Sequence, residues 1–456
     1  MSAAAGPAAV LALLRQRNFG PYFAGNALSA SGTWFQNLAG ALLVYRLTHS
    51  AFLLGVLNFC QFVPVLVLAP WAGSAADRYD RRRLLFVAQI TAAWLALLIA
   101  ALAWAGLARA WVVIAVALGL GITSATSIPA QQALLASLVE PRELPTAVAL
   151  NSMTYNIARA AGPVAAAASV EYLGIPASFV LNAGSYLVFV AALVMVRPRP
   201  QQTVPRESSR LRDALQLLRD DPRLLAFLVV VAAVGFASDP VNTLAPAFAH
   251  AFGHRDTIAG LIIGAFGAGA VTVAVVVAGR VAGSRRRMAL TLSLLGLGIV
   301  AFALSPWLPL GFVFLFVAGM GYLASNTSAT TRLQLGVNEA QRGRIMALWG
   351  VAFLGLRPLA SLVDGAVAAS FGVRVAGVVL ALPALAGAAW LAVSSAGARH
   401  RDRGREHRFP QFASPARPHG EREHGDGAAG GKRGRDVIAD HQSLRGGDDP
   451  PQRERP

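Results

Sequence analysis

Five ionisable side chains stand inside long apolar runs of this chain: Arg159, Glu171, Asp239, Arg357 and Asp364. A charge placed in membrane hydrocarbon costs about 2.5–3.5 kcal/mol on insertion scales, so each is a candidate for chemistry. Asp239 precedes Pro240, whose missing N–H and bulky ring should break the helix there and free backbone polar groups to line a cavity. A carboxyl at such a break is suited to exchanging a proton, which makes Asp239, and after it Asp364, the proton-coupling candidates. A second reading stays open for both: Asp239 starts a polar run, Asp-Pro-Val-Asn-Thr, and Asp364 lies toward the outer third of its run, so either can simply face outer water. Arg357 and Asp364 are seven residues apart. They share a helix face but are separated by about 10 Å along the axis, too far to pair directly. Arg159 and Arg357 sit at equivalent depths in the two halves of the chain, placed either to meet an anionic group or to pack helices. Glu171 falls at an outer mouth.

Neutral polar groups surround the early runs. Asn26, Gln36, Asn58, Gln61 and Gln131, with Trp34 among them, are candidates for lining a cavity and hydrogen-bonding a bulky, partly apolar small molecule, although bonds between helices would use the same groups. The constellations of an enzyme do not appear. There is no phosphate-cradling Gly-Lys-Ser/Thr loop and no nucleophile elbow. Five of the eight histidines fall in the last 60 residues, at spacings that match no metal site. Neither a cofactor nor a metal is expected, and the chain is not read as an enzyme.

The elements that must position these residues follow from composition. Of 456 residues 55% are apolar and 14% charged, against about 25% charged in ordinary soluble domains. Mean hydropathy is +0.52. Runs of about 20 apolar residues are what a helix needs to cross a bilayer. Twelve runs can be read, near 20–45, 51–76, 83–105, 110–137, 145–171, 176–196, 223–250, 257–279, 287–305, 308–332, 344–371 and 373–396. None alternates as a membrane strand would. The fold class is therefore an all-α polytopic membrane protein of twelve transmembrane helices.

The net charge of +17 is topological and does not indicate a nucleic-acid partner. Alternate loops starting from the N-terminus hold 21 arginines, the intervening loops only Arg46, Arg109, Arg255 and Arg374. The positive-inside rule then puts both termini in the cytoplasm of a cell whose inner or plasma membrane the chain spans. Arg15 and Arg17 follow the first short apolar stretch, the wrong order for a secretory leader, and no cleaved leader is expected. Cys60, the single cysteine, reads as a buried small hydrophobe.

Residues 1–196 and 223–396 hold six runs each, so the chain divides into two six-helix bundles. They are joined by a cytoplasmic linker, 197–222, in which Leu211, Leu215 and Leu218 recur at the spacing of an amphipathic surface helix. Residues 397–456, rich in Gly, Arg, Asp, His and Pro, are expected to be disordered. Weak echoes relate the halves: basic clusters after runs 2 and 8, and Arg159 through Gly162-Pro163 matched by Arg357-Pro358. Parallel halves of this kind place a substrate site between them near mid-membrane.

The most specific local signal is Gly73-Ser-Ala-Ala-Asp77-Arg78-Tyr-Asp80-Arg81-Arg82, after run 2. It resembles the loop 2–3 signature of the major facilitator superfamily, with Asp80 where many members have glycine. With Leu43 to Ser50, Pro64 to Pro70 and Asn151 to Pro163, the resemblance covers residues 15–396. It points to the branch of transmembrane secretion effectors that contains the enterobactin exporter and related efflux proteins. This resemblance implies two pseudo-symmetric bundles that rock about a central cavity. It also implies a conformational latch formed by Gly73, Asp77, Arg78, Arg81 and Arg82. The implied activity is export of a siderophore, macrolide or other drug, driven by protons. Uptake of an organic solute, or a membrane sensor that has kept the fold without transport, are the competing expectations. The expected partners are a small-molecule substrate, protons and the lipid bilayer.

Overall fold

The computed structural model describes residues 7–199, 216–219, 221–276 and 285–406. In a bilayer every backbone N–H and C=O must be satisfied within the chain, so the apolar runs fold as helices. The first half comprises α1 (Pro7–Leu14), α2 (Phe19–Thr48), α3 (Ala51–Val67), α4 (Ala69–Arg78), α5 (Arg81–Trp104), α6 (Ala110–Leu138) and α7 (Leu144–Met195). The second comprises α8 (Pro222–Thr243), α9 (Ala245–Ala251), α10 (Ala259–Val276), α11 (Arg285–Leu304), α12 (Leu308–Leu335), α13 (Glu339–Gly350), α14 (Arg357–Phe371) and α15 (Val373–Glu406). A 3-10 turn, Asp256–Ile258, precedes α10, and a π turn, Val351–Gly355, joins α13 to α14.

Nine helical stretches among the described residues are long and apolar enough to cross a membrane. The 52-residue α7 is one of them, and it turns a corner at Gly174, whose φ of 84° a side chain would resist. Its two arms counted separately, with the 30-residue α2 and the shorter α3 added, are consistent with the twelve spans expected. This is the all-α, multi-span architecture expected from composition.

Boundaries are set by local chemistry. Ser50 accepts a hydrogen bond from the Leu53 N–H at the start of α3, and Asp80 accepts one from the Arg83 N–H at 2.8 Å at the start of α5. Proline occupies the first turn of α4, α8, α9, α12 and α14, where its missing N–H costs nothing. Two breaks differ from the sequence reading. The second run divides at Leu68, between Pro64 and Pro70. The seventh run does not break at Pro240: α8 continues through it and ends at Thr243, with the Leu244 N–H bonded back to the Pro240 carbonyl. A proline forfeits the bond to the carbonyl four residues earlier, but surrounding packing holds the turn, so the break appears one turn later.

The halves meet along two helix pairs, α3 with α14 and α7 with α10. Both seams are built on small residues. A Cβ on Gly55 of α3 would strike the Ser361 carbonyl of α14, and one on Gly267 of α10 would strike Ala160 of α7. Such backbone approach gives membrane helices the dispersion contacts that replace a hydrophobic drive.

Most of the 197–222 linker, including Leu211 and Leu215, lies outside the described residues, as does the tail from 407. The last helix, α15, runs on past position 396 to Glu406.

Candidate functional site

Three of the five membrane-embedded ionisable groups converge. Asp239 lies one turn before the end of α8, so Thr243 shares its face and donates to Asp239 Oδ2 at 2.8 Å. From α14 the Ser361 hydroxyl donates to the same oxygen at 2.9 Å, and Arg357 Nε lies 3.7 Å from Oδ1. Arg357 is presented by the irregular backbone before it. The π turn, followed by Pro358 with no N–H to donate, sets where α14 begins. Two turns further along α14, the Asp364 carboxyl lies against that of Asp239. Neither Asp364 oxygen receives a donor from any other described residue. Asp239 is 1% exposed and Asp364 is fully buried, so neither faces outer water. Arg357 pairs across to α8 and not along its own helix.

One guanidinium therefore stands against two carboxyl groups. With both ionised the cluster carries an uncompensated negative charge in a dry interior, and with one proton held between them it is balanced. The arrangement is chemically able to take up and release a single proton.

Arg159 is placed differently. Its guanidinium donates to the Tyr322 hydroxyl and lies 4.3 Å from the Tyr322 ring centroid, 5.6 Å from that of Trp34 and 5.8 Å from that of Phe266. Aromatic faces, and no carboxylate among the described residues, surround this cation. Glu171 lies beside the Gly174 corner, where it accepts from Arg255 and, at 2.9 Å, from Thr257. Nearby Arg46 grips Asp256 through two hydrogen bonds of 2.6 and 3.0 Å. These contacts tie the two halves together at the end of the bundle opposite the N-terminus.

Between the helices of the first half lies a cavity of about 220 Å³, to whose lining the second half adds Leu354 of the π turn. Asn26, Trp34, Gln36, Gln61 and Gln131 all line it. Asn58 does not: its amide is buried and donates to the Leu54 carbonyl of its own helix. Arg159 and Arg357 also stay out of the wall. The lining amides form a network in which Asn26 donates to Asn151 at 2.7 Å, Gln131 to Asn26, Asn182 to Gln36, Gln61 to Asn37, and Ser29 to Gln89 at 2.9 Å. Phe62, also in the wall, is in contact with Arg357, whose guanidinium lies 4.4 Å from the ring centroid.

Around the 73–82 motif, Arg82 donates to the Val194 carbonyl at 2.8 Å and Arg81 reaches the Ala133 carbonyl, both in the first half. Asp80 is the cap of α5, Arg78 is exposed and a Cβ on Gly73 would meet open space. The Asp77 side chain lies outside the described residues.

Sequence reading missed Thr243 and Ser361 as partners of Asp239. Thr243 was findable, since it stands four residues on from Asp239; Ser361 was not, because its contact joins helices 122 residues apart. Asn151 and Gln89 joined the cavity in the same way.

The family model for transmembrane secretion effectors matches residues 8–411. Among curated relatives, a staphyloferrin A transporter of Staphylococcus aureus is 25% identical over 77% of this chain and 90% of its own. Macrolide efflux protein A of Streptococcus pyogenes is 24% identical over 77% and 89%, and the enterobactin exporter of Shigella boydii 27% over 74% and 85%. Among solved structures, a bacterial homologue of the human lysosomal transporter Spinster superposes with a TM-score of 0.67 at 13% identity, covering 86% of this chain and 97% of that one. The nucleoside transporter NupG superposes with a TM-score of 0.65 at 13% identity, over 84% and 99%.

Proposed function

The chain belongs to the transmembrane secretion effector family, whose members are multi-pass membrane transporters and not enzymes, and from that premise we propose that it exports a small amphipathic molecule in exchange for protons. The observation that carries this reading is the buried cluster of Asp239, Asp364 and Arg357, two carboxyl groups against one guanidinium, in contact with the cavity through Phe62. A cluster that is balanced only with one proton aboard gives protons a reason to bind and leave in step with a conformational change.

Export is favoured by the relatives named for efflux of macrolides and of enterobactin. The arginine bias of the loops favours cytoplasmic termini in an inner or plasma membrane. On that topology the contacts of Arg46 with Asp256 and of Glu171 with Arg255 join the two halves at the outer end. Binding from the inside, proton uptake at the cluster from the outside, and rocking about the α3–α14 and α7–α10 seams complete the cycle. The 73–82 loop, on the cytoplasmic side, is the candidate latch.

The test uses purified protein in proteoliposomes with an imposed pH gradient, following siderophores and a macrolide. Gradient-dependent movement in the wild type, lost in Asp239→Asn and Asp364→Asn with folding intact, is the expected result. Movement that ignores the gradient, or persists unchanged in both variants, overturns proton coupling through this cluster.

A further inference from the structure

Of the five ionisable residues buried in or bordering the spans, not one lines the cavity. Arg357 is turned to Asp239 and Arg159 to Tyr322, and the two guanidinium groups touch the wall only through the rings of Phe62 and Trp34. The wall itself is made of amides, hydroxyls, aromatic rings and aliphatic side chains, with no charged group among them. Its amide network is only partly satisfied internally: Gln36, Gln89 and Asn151 each accept a hydrogen bond through the carbonyl oxygen and leave the NH2 group unused. A primary amide has two donors to give, so these three residues present donors toward the cavity, beside the apolar faces of Trp34, Phe62 and Tyr155.

We propose that the ligand this cavity selects is uncharged: an oxygen-rich molecule whose carbonyl, lactone or hydroxyl oxygens accept from the amides while an apolar face lies on the rings. This deepens the transport reading and rests on it. An ionised carboxylate or ammonium entering the cavity would give up hydration with no charged side chain in the wall to pair with, whereas neutral oxygens exchange water for amide donors at little cost.

The test is isothermal titration of the full chain in nanodiscs with three probes on one scaffold. They are a fourteen-membered macrolactone bearing a neutral sugar, the same ring with an amino sugar, and its hemisuccinate ester. The neutral probe is expected to bind at least about tenfold more tightly than either charged one, since burying an unpaired charge costs several kcal/mol. Ser124 lines the cavity, and Ser124→Asp is expected to favour the amino-sugar probe over the neutral one, while Ser124→Asn keeps the wild-type order. Equal or tighter binding of a charged probe to the wild type, or no binding of the neutral one, overturns the proposal. Flux in proteoliposomes separates the two readings: gradient-driven movement of the hemisuccinate would sink this proposal and leave proton-coupled export standing.

Discussion

The guanidinium of Arg357, on the second half of the chain, lies 4.4 Å from the ring centroid of Phe62, on the first. Phe62 is in the cavity wall and Arg357 holds Asp239, so this contact is a physical link between the ligand space and the carboxyl cluster. A cation–π contact is worth about 0.5–2 kcal/mol, roughly 2- to 30-fold in a rate or equilibrium that depends on it. Phe62→Leu should therefore reduce gradient-driven flux within that range while Phe62→Trp keeps it. Initial rates in proteoliposomes, with matched protein levels, measure the difference.

The two carboxyl groups should respond unequally to substitution. Asp239→Asn leaves Arg357 buried without its paired carboxylate, a change that typically costs about 3–5 kcal/mol. Asp364→Asn removes the carboxyl that no guanidinium neutralises, and should leave thermal stability in detergent unchanged or raised. Equal losses of stability in the two variants would contradict this charge assignment.

Close packing at Gly55 holds the seam between α3 and α14. Gly55→Val should force the two helices apart at an overpacking cost of about 1–3 kcal/mol and shift the population toward the alternative state. Because Cys60 is the chain's single cysteine, a Cys60→Ser background allows spin labels to be placed across the seam, where distance distributions read the shift directly.

The Arg46–Asp256 pair is partly exposed, so its share in closing that end is modest, about 0.2–1 kcal/mol, and weakens with salt. Arg46→Ala or Asp256→Ala should open the end slightly in low salt and have less effect at high salt. The exchanged pair, Arg46→Asp with Asp256→Arg, should restore closure. Labelling of a cysteine introduced below the pair measures access.

Asp239 and Asp364 could be picked from sequence because ionisable residues in apolar runs are rare and expensive. That they share one site could not. The intervals along the chain describe only each residue's own helix, and on α14 the seven-residue spacing kept Arg357 and Asp364 apart without revealing that both reach toward α8. Asn58 shows the converse: its residue type and depth suited a cavity, yet its helix face turned the amide back onto Leu54.

What the sequence determined alone was the solvent and the architecture. A run of twenty apolar residues can be satisfied in a bilayer only as a helix. What only tertiary structure decided was which polar groups face one another. Helix rotation, the π turn before Arg357 and the glycine seams place Asp239 against Arg357 and Asp364, and keep all three out of the cavity wall. These are contacts between residues more than a hundred positions apart in the chain, set by packing across helices, and no local periodicity encodes them.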